Sequence, residues 1–124
     1  MPDTSNIKLT IALKEPDLEA EELEKQARNL VQELKDIDEV EDASLVAVTE
    51  TPQGSKALGG FLLGILQAEV SIENCKKLFS FLGDRLGGKP IELEVEANGK
   101  KLKVTASSRE ELMAAIQAAQ EFVA

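Results

Sequence analysis

Histidine, tryptophan and tyrosine are all absent from this 124-residue chain. Without histidine the commonest general base and the commonest metal ligand are missing. Without Trp and Tyr there is no ordinary stacking platform for single-stranded nucleic acid, and the usual aromatic interface anchors are gone. Cysteine occurs once, at Cys75, so no internal disulfide can form. The start, Met1-Pro2-Asp3-Thr4, has neither the basic nor the apolar region of a signal peptide. A reducing, cytoplasmic compartment is the expectation. Positive charge is scarce, with 14 Lys and Arg against 23 Asp and Glu, a net charge of −9. That balance repels phosphate, which sets aside nucleic acid and anionic membrane surfaces as first partners and serves solubility instead. The apolar run at 57–66 is ten residues, too short to cross roughly 30 Å of hydrocarbon as a helix, so no membrane span is expected.

What is present is best read from 91–106, a β-hairpin whose register can be written down. Asn98-Gly99 suits the two positive φ values of a type I′ turn, so Ala97 should pair with Lys100. Counting outward sets Glu96 opposite Lys101 and Glu94 opposite Lys103 on a wet face. Val95 then meets Leu102 and Leu93 meets Val104 on a buried one.

The rest of the chain reads as one domain over 1–124, with polar residues 1–6 outside its folded part. Ile7, Leu9, Ile11 and Leu13 alternate with polar or small residues, a half-buried strand. Pro16 and Asp17 open a helix with Leu23, Ala27, Leu30, Val31 and Leu34 on one stripe. The acidic run 36–42 reads as a turn and 45–49 as a second strand. Ser71 caps a helix carrying Ile72, Cys75, Leu78, Phe79, Leu82 and Leu86 on one face, which Gly87-Gly88 and Pro90 end. After the hairpin, Ser108-Arg109-Glu110-Glu111 is a capping box for a last helix with Leu112, Ile116, Ala119 and Val123 inward. The expected fold is α+β, a mixed four-stranded sheet with helices packed mainly on one face, in the order β-α-β-α-β-β-α. Its first strand-helix-strand unit should be a right-handed crossover.

Candidate chemistry is sparse. Gly54-Ser55-Lys56 sits where a phosphate loop would, but a Walker loop needs a second Gly five residues earlier and Lys before Ser or Thr. An ordinary turn is the better reading. The acids of 36–42 enclose Val40 and no Gly, which fits a solvated run rather than a Ca²⁺ loop. Cys75 lies on an apolar helix stripe with no His to generate its thiolate, so it is a packing residue. No cofactor is expected.

The run 57–66, with Gly59, Gly60 and Gly64 inside it, shows neither a helical nor a strand period. Two readings stay open. Either it fills the core, or its glycine-flanked apolar residues are exposed for a partner or another copy of the chain.

Taken together, the Pro52-Gln53-Gly54-Ser55-Lys56 turn, the apolar stretch 60–64, the helix end 78–86 and the strand-turn-strand-helix tail 90–123 resemble the bacterial effector-associated constant component domain family. Asn98-Gly99 and Ser107-Ser108-Arg109-Glu110-Glu111 match its tail in kind. Phe79 and Phe81 depart from it, standing where many relatives carry Trp and Arg. The resemblance implies a small non-enzymatic adaptor or sensor module of bacterial conflict and immunity systems. Its partners would be effectors such as caspase-like or trypsin-like peptidases or nucleotide-dependent switch proteins. The family offers no catalytic residues. The contact surface expected here comprises Pro52, Gly54, Lys56, Phe61, Leu62 and Ile65. The alternative is a small-ligand binding domain using the Gly54 to Lys56 turn, and an enzyme comes third.

Overall fold

Alternation decides the first element. In β1 (Asn6–Leu13), Ile7, Leu9, Ile11 and Leu13 are buried, while Lys8 is exposed and Thr10 half-buried. The structure, a computed structural model, describes residues 6–15, 17–47, 57–58, 61–97 and 99–123. Along these follow α1 (Ala20–Lys35), β2 (Val40–Ala47), β3 (Ala57–Leu58) and β4 (Phe61–Ser71). A 3-10 turn (Ile72–Asn74) then leads into α2 (Cys75–Leu86), β5 (Ile91–Ala97), β6 (Lys100–Ala106) and α3 (Arg109–Val123).

The sheet order is β2-β4-β1-β5-β6, with the short β3 pairing off this path on the start of β4. Every pairing is antiparallel. Because β1 and β2 both run antiparallel to β4, they are parallel to each other with β4 between them. By the same logic β4 and β5 are parallel with β1 between them. These are two interlocked split β-α-β units, the ferredoxin-like plan, extended by β6 and α3.

The expectation of four strands in a mixed sheet is therefore corrected. Five strands lie along the sheet path, and neighbours are antiparallel throughout, because the unassigned run 57–66 supplies β3 and the first half of β4. A parallel β1–β2 contact was implied only while nothing was available to insert between them. β2 also starts earlier than expected, inside the acidic run. Val40 is buried while Glu41 and Asp42 are exposed, and a register shift between Val40 and Asp42 breaks the simple alternation. β1 takes in Asn6, the last of the residues read as loose.

Helices cover one face of the sheet. In α1, Ala27, Leu30, Val31 and Leu34 are buried as their spacing requires. The helix begins at Ala20 rather than at Asp17, since the Leu18 amide turns back to the Glu15 carbonyl at 3.5 Å. Glu21 and Glu22 in the first turn and Lys35 in the last complement the helix dipole. In α2, Cys75, Leu78, Phe79, Leu82 and Leu86 are buried as expected, and Ile72 lies half-buried just before it. The Asn74 amide donates to Ser71 Oγ at 3.2 Å, which is the expected cap, although it caps the 3-10 turn first. Arg85 Nε donates to both carboxylate oxygens of Glu33, at 2.9 and 3.2 Å, tying α2 to α1. On its other side α2 meets α3 at Gly83, where an added Cβ would sit 3.3 Å from both Ile116 Cδ1 and Met113 Sδ. The helices and the inner sheet residues form one core around Phe79, which is fully buried. Burial of each such Leu, Ile or Phe contributes about 1.5–3 kcal/mol.

The hairpin matches its expected register at every pair, Ala97 with Lys100 through Leu93 with Val104, and it continues to Ile91 with Ala106. The ion pairs run one step off that register, Lys101 Nζ to Glu94 at 3.6 Å and Lys103 Nζ to Glu92 at 3.5 Å. Sheet twist brings the diagonal partner closer than the one directly opposite. Gly99 has φ +76°, as the turn demands. Replacing it with Val, for which positive φ is strained, should lower stability by at least about 1 kcal/mol in thermal or urea unfolding. The site is open, with nothing near enough to clash with an added Cβ, so that loss measures backbone strain alone.

The α3 capping box is displaced by one residue. The Glu111 amide donates to Ser108 Oγ at 3.1 Å, but the Glu111 carboxylate accepts from the amide and hydroxyl of Ser107, at 2.7 and 2.8 Å. These bonds, the amide first, hold the Glu111 carboxyl below its usual range. A carboxylate with a depressed folded pKa adds stability above its unfolded pKa, and that stability is lost as pH falls through the folded value. Glu111→Gln should therefore lower the melting temperature at pH 7, and the gap from wild type should close below about pH 4.

Candidate functional site

One face of the sheet carries no helix, and pairing sets out its surface strand by strand. Lys101, Lys103 and Thr105 of β6 lie beside Glu96, Glu94 and Glu92 of β5. Next come Lys8, Thr10 and Ala12 of β1, then Glu69, Gln67 and Ile65 of β4, then Asp42 and Ser44 of β2. Polar side chains knit across it. Asn6 Nδ2 donates to Glu41 and Glu69 at 3.3 and 3.4 Å, and Gln67 Nε2 to Thr10 Oγ1 at 3.4 Å. The exception is one end. Ala12 is buried although it lies on this open face, opposite Ile65, and Ile65 and Val46 are half-buried on the same side.

That apolar end is where β4 changes course. Gly64 adopts φ +70° inside the strand, and a Cβ there would lie 3.3 Å from the Leu13 carbonyl oxygen. Leu45 pairs with Leu66, yet Ala47 pairs with Phe61, so β4 holds three more residues than β2 across this step. A glycine with positive φ at such a bulge re-aims the strand.

Of the residues expected to form the contact surface, Ile65 lies on the open face. Phe61 and Leu62 lie at the start of β4, paired through their backbones with Leu58 and Ala57. Pro52, Gly54 and Lys56, with the alternative Gly54 to Lys56 ligand site, lie outside the described residues. Leu66 belongs to the core, fully buried on the helix side, so the run 57–66 is not of one kind.

Two grooves escaped the sequence reading. Between α2 and α3 an open groove of about 650 Å³ is lined by Phe79, Gly83, Met113 and Ile116, with Lys76 and Gln117 among its polar residues. Met113 is 49% exposed, the large apolar side chain left open among the described residues. A second groove, about 340 Å³, runs between α1 and the edge strand β2, lined by Arg28, Val31, Gln32, Lys35, Ser44 and Leu45. Its signal was available in the sequence, as Arg28 and Lys35 stand seven residues apart around buried Val31.

Among the described residues no group of three or more His, Cys, Asp or Glu is placed to hold a metal ion, and no helix is long and apolar enough to cross a membrane. The Cys75 thiol is buried, and burial pushes its pKa up against a smaller opposing effect of its backbone hydrogen bond. Its Sγ donates to the Ile72 carbonyl at 3.1 Å. Since the thiolate is the reactive form, native Cys75 should react with a thiol reagent at pH 8 at least about tenfold more slowly than the urea-unfolded chain, as read by absorbance.

Set against family models, curated proteins and solved structures, the chain matches none.

Proposed function

We propose that this protein is a non-enzymatic adaptor or sensor module working through protein-protein contacts. It would act in a bacterial effector-associated defence or programmed-death system, in the cytoplasm. Its partner would be an effector such as a caspase-like or trypsin-like peptidase or a nucleotide-dependent switch protein, and self-association is the other contact to test. The observation that supports a contact surface is the apolar end of the open sheet face. Ile65 and Val46 are half-buried there beside Ala12, on a face otherwise made of Lys, Glu, Asp, Gln, Ser and Thr. Partner surfaces of this kind pair a small apolar centre with a polar surround. The same end carries the Gly64 bulge, beyond which Phe61 pairs with Ala47 out of the earlier register.

Co-expression with caspase-like and trypsin-like peptidase effectors, followed by size-exclusion chromatography, tests this. The complex should form with the wild-type chain and be lost with Leu62→Asp and with Ile65→Lys, while circular dichroism stays that of wild type. A complex that survives both substitutions would sink the assignment of the surface. Unfolding by both would make these residues core and move the contact elsewhere.

A further inference from the structure

The two edges of the sheet differ in how they meet solvent. β6 carries Lys100, Lys101 and Lys103, and the last two are already drawn to Glu94 and Glu92 of β5. Such lysines guard an edge against pairing with other strands. β2 ends the sheet on the other side, and among the described residues no strand pairs with its outer edge. Ser44 and Leu45 of β2 line the groove shared with α1, where Val31 and Leu45 are apolar and Arg28 and Lys35 are exposed cations.

From this juxtaposition we infer that the β2–α1 groove captures an extended acidic peptide segment of a protein partner by strand addition. An added strand would hydrogen-bond to the outer edge of β2, most regularly over 42–45, where the β2 register with β4 is unbroken. Alternate side chains of the peptide would point to the helix side, where a central apolar one meets Val31 and Leu45 and the acidic ones two residues before and after it lie within reach of Arg28 and Lys35. Arg28 and Lys35, the two basic side chains framing the groove, favour an anionic guest locally over a basic one, against the net charge of −9 of the whole chain. A second copy of this chain is the poorer occupant. Antiparallel β2–β2 pairing about a two-fold axis would bring the two α1 helices side by side and set Arg28 and Lys35 of one against the same cations of the other. Arg28 pairs with Glu24 at 3.3 Å, an exposed i,i+4 contact that a bound carboxylate would share. This surface is separate from the open-face one at Ile65, so either can fail without the other.

A fluorescein-labelled heptapeptide of sequence Thr-Glu-Thr-Val-Thr-Glu-Thr, blocked at both ends, is the probe, since its Glu, Val and Glu side chains share one face. Anisotropy should show saturable binding, and amide chemical shifts should move along 42–47 and along the 28–35 stretch of α1. The double variant Arg28→Gln, Lys35→Gln, both at exposed helix positions, should keep the wild-type melting temperature and bind roughly tenfold more weakly. Lys35→Gln alone should lose about threefold. Methylating alternate backbone nitrogens of the peptide should abolish binding, because strand addition needs those donors. Equal binding of a peptide with Lys in place of Glu would overturn the inference, as would shifts confined to β6 or to the α2–α3 groove, or no binding at millimolar peptide. A dimer in sedimentation that the double variant strengthens, by relieving the cation repulsion, would make a second copy the occupant and equally overturn it.

Discussion

The antiparallel ladder between β1 and β4 is the pairing on which the remaining architecture hangs. β4 lies between β1 and β2 and satisfies the backbone of both, so β1 and β2 can run parallel without touching and α1 can cross over the strand that separates them. Its inward residues, Leu66, Ala68 and Val70, are at most 2% exposed and meet Ile7, Leu9 and Ile11 within one core. Remove β4 and β2 loses its partner strand while α1 loses half of its floor. Buried amide and carbonyl groups left without partners there would each cost about 1–3 kcal/mol, which exceeds what any single ion pair on this surface returns.

The helices add to this by being fitted rather than merely apolar. Gly83 lets α2 approach α3 closely enough for Ile116 and Met113 to contact its backbone, and Arg85 reaches across to Glu33 on α1. The layer α1-α2-α3 thus spans the inner face of the sheet, and the polar face opposite is left to solvent. Its charges alternate from β6 through β4, although Asp42 of β2 lies opposite Glu69. Lys from β6 and β1 flank the three Glu of β5, a pattern that keeps like charges from lying directly opposite one another across those ladders.

How much of this was legible follows from where local signals were strong. The hairpin register was fixed by Asn98-Gly99 together with strict alternation, and the α1, α2 and α3 core faces by spacing alone. What escaped was β4, whose first half has apolar residues on successive positions and a glycine in the left-handed region. Both erase the period-two signal although the chain is in a strand. One missed strand changed the apparent sheet from antiparallel to mixed. The start of β2 escaped for a related reason: Glu41 and Asp42 look like a turn, and only the register shift after Val40 lets both face solvent within a strand. The α2–α3 groove was invisible because it needs two elements brought together, whereas the α1 wall of the other, with Arg28 and Lys35 about Val31, was there to be read. Met113 sits on a helix that reads correctly, and only the approach of α2 at Gly83 makes it the wall of a groove.

The same physics bears on what kind of recognition this surface suits. The described titratable groups with clear shifts are Cys75, raised by burial, and Glu111, lowered by hydrogen bonds at a helix start. Each has a structural cause, and neither sits beside the other or lines either groove between elements described above. Reactive sites depend on opposed environments acting on neighbouring groups. Recognition through an edge or a face asks for less. It needs backbone groups open to a further strand, a small apolar floor and charges of one sign at the rim, and among the described residues β2 ends the sheet beside an α1 groove floored by Val31 and Leu45 with Arg28 and Lys35 at its rim. Edge and open face are separated by the thickness of one strand. Ser44 borders the groove and also pairs with Gln67 of the open face, so a guest on either would be felt through the 42–45 stretch of ladder with β4.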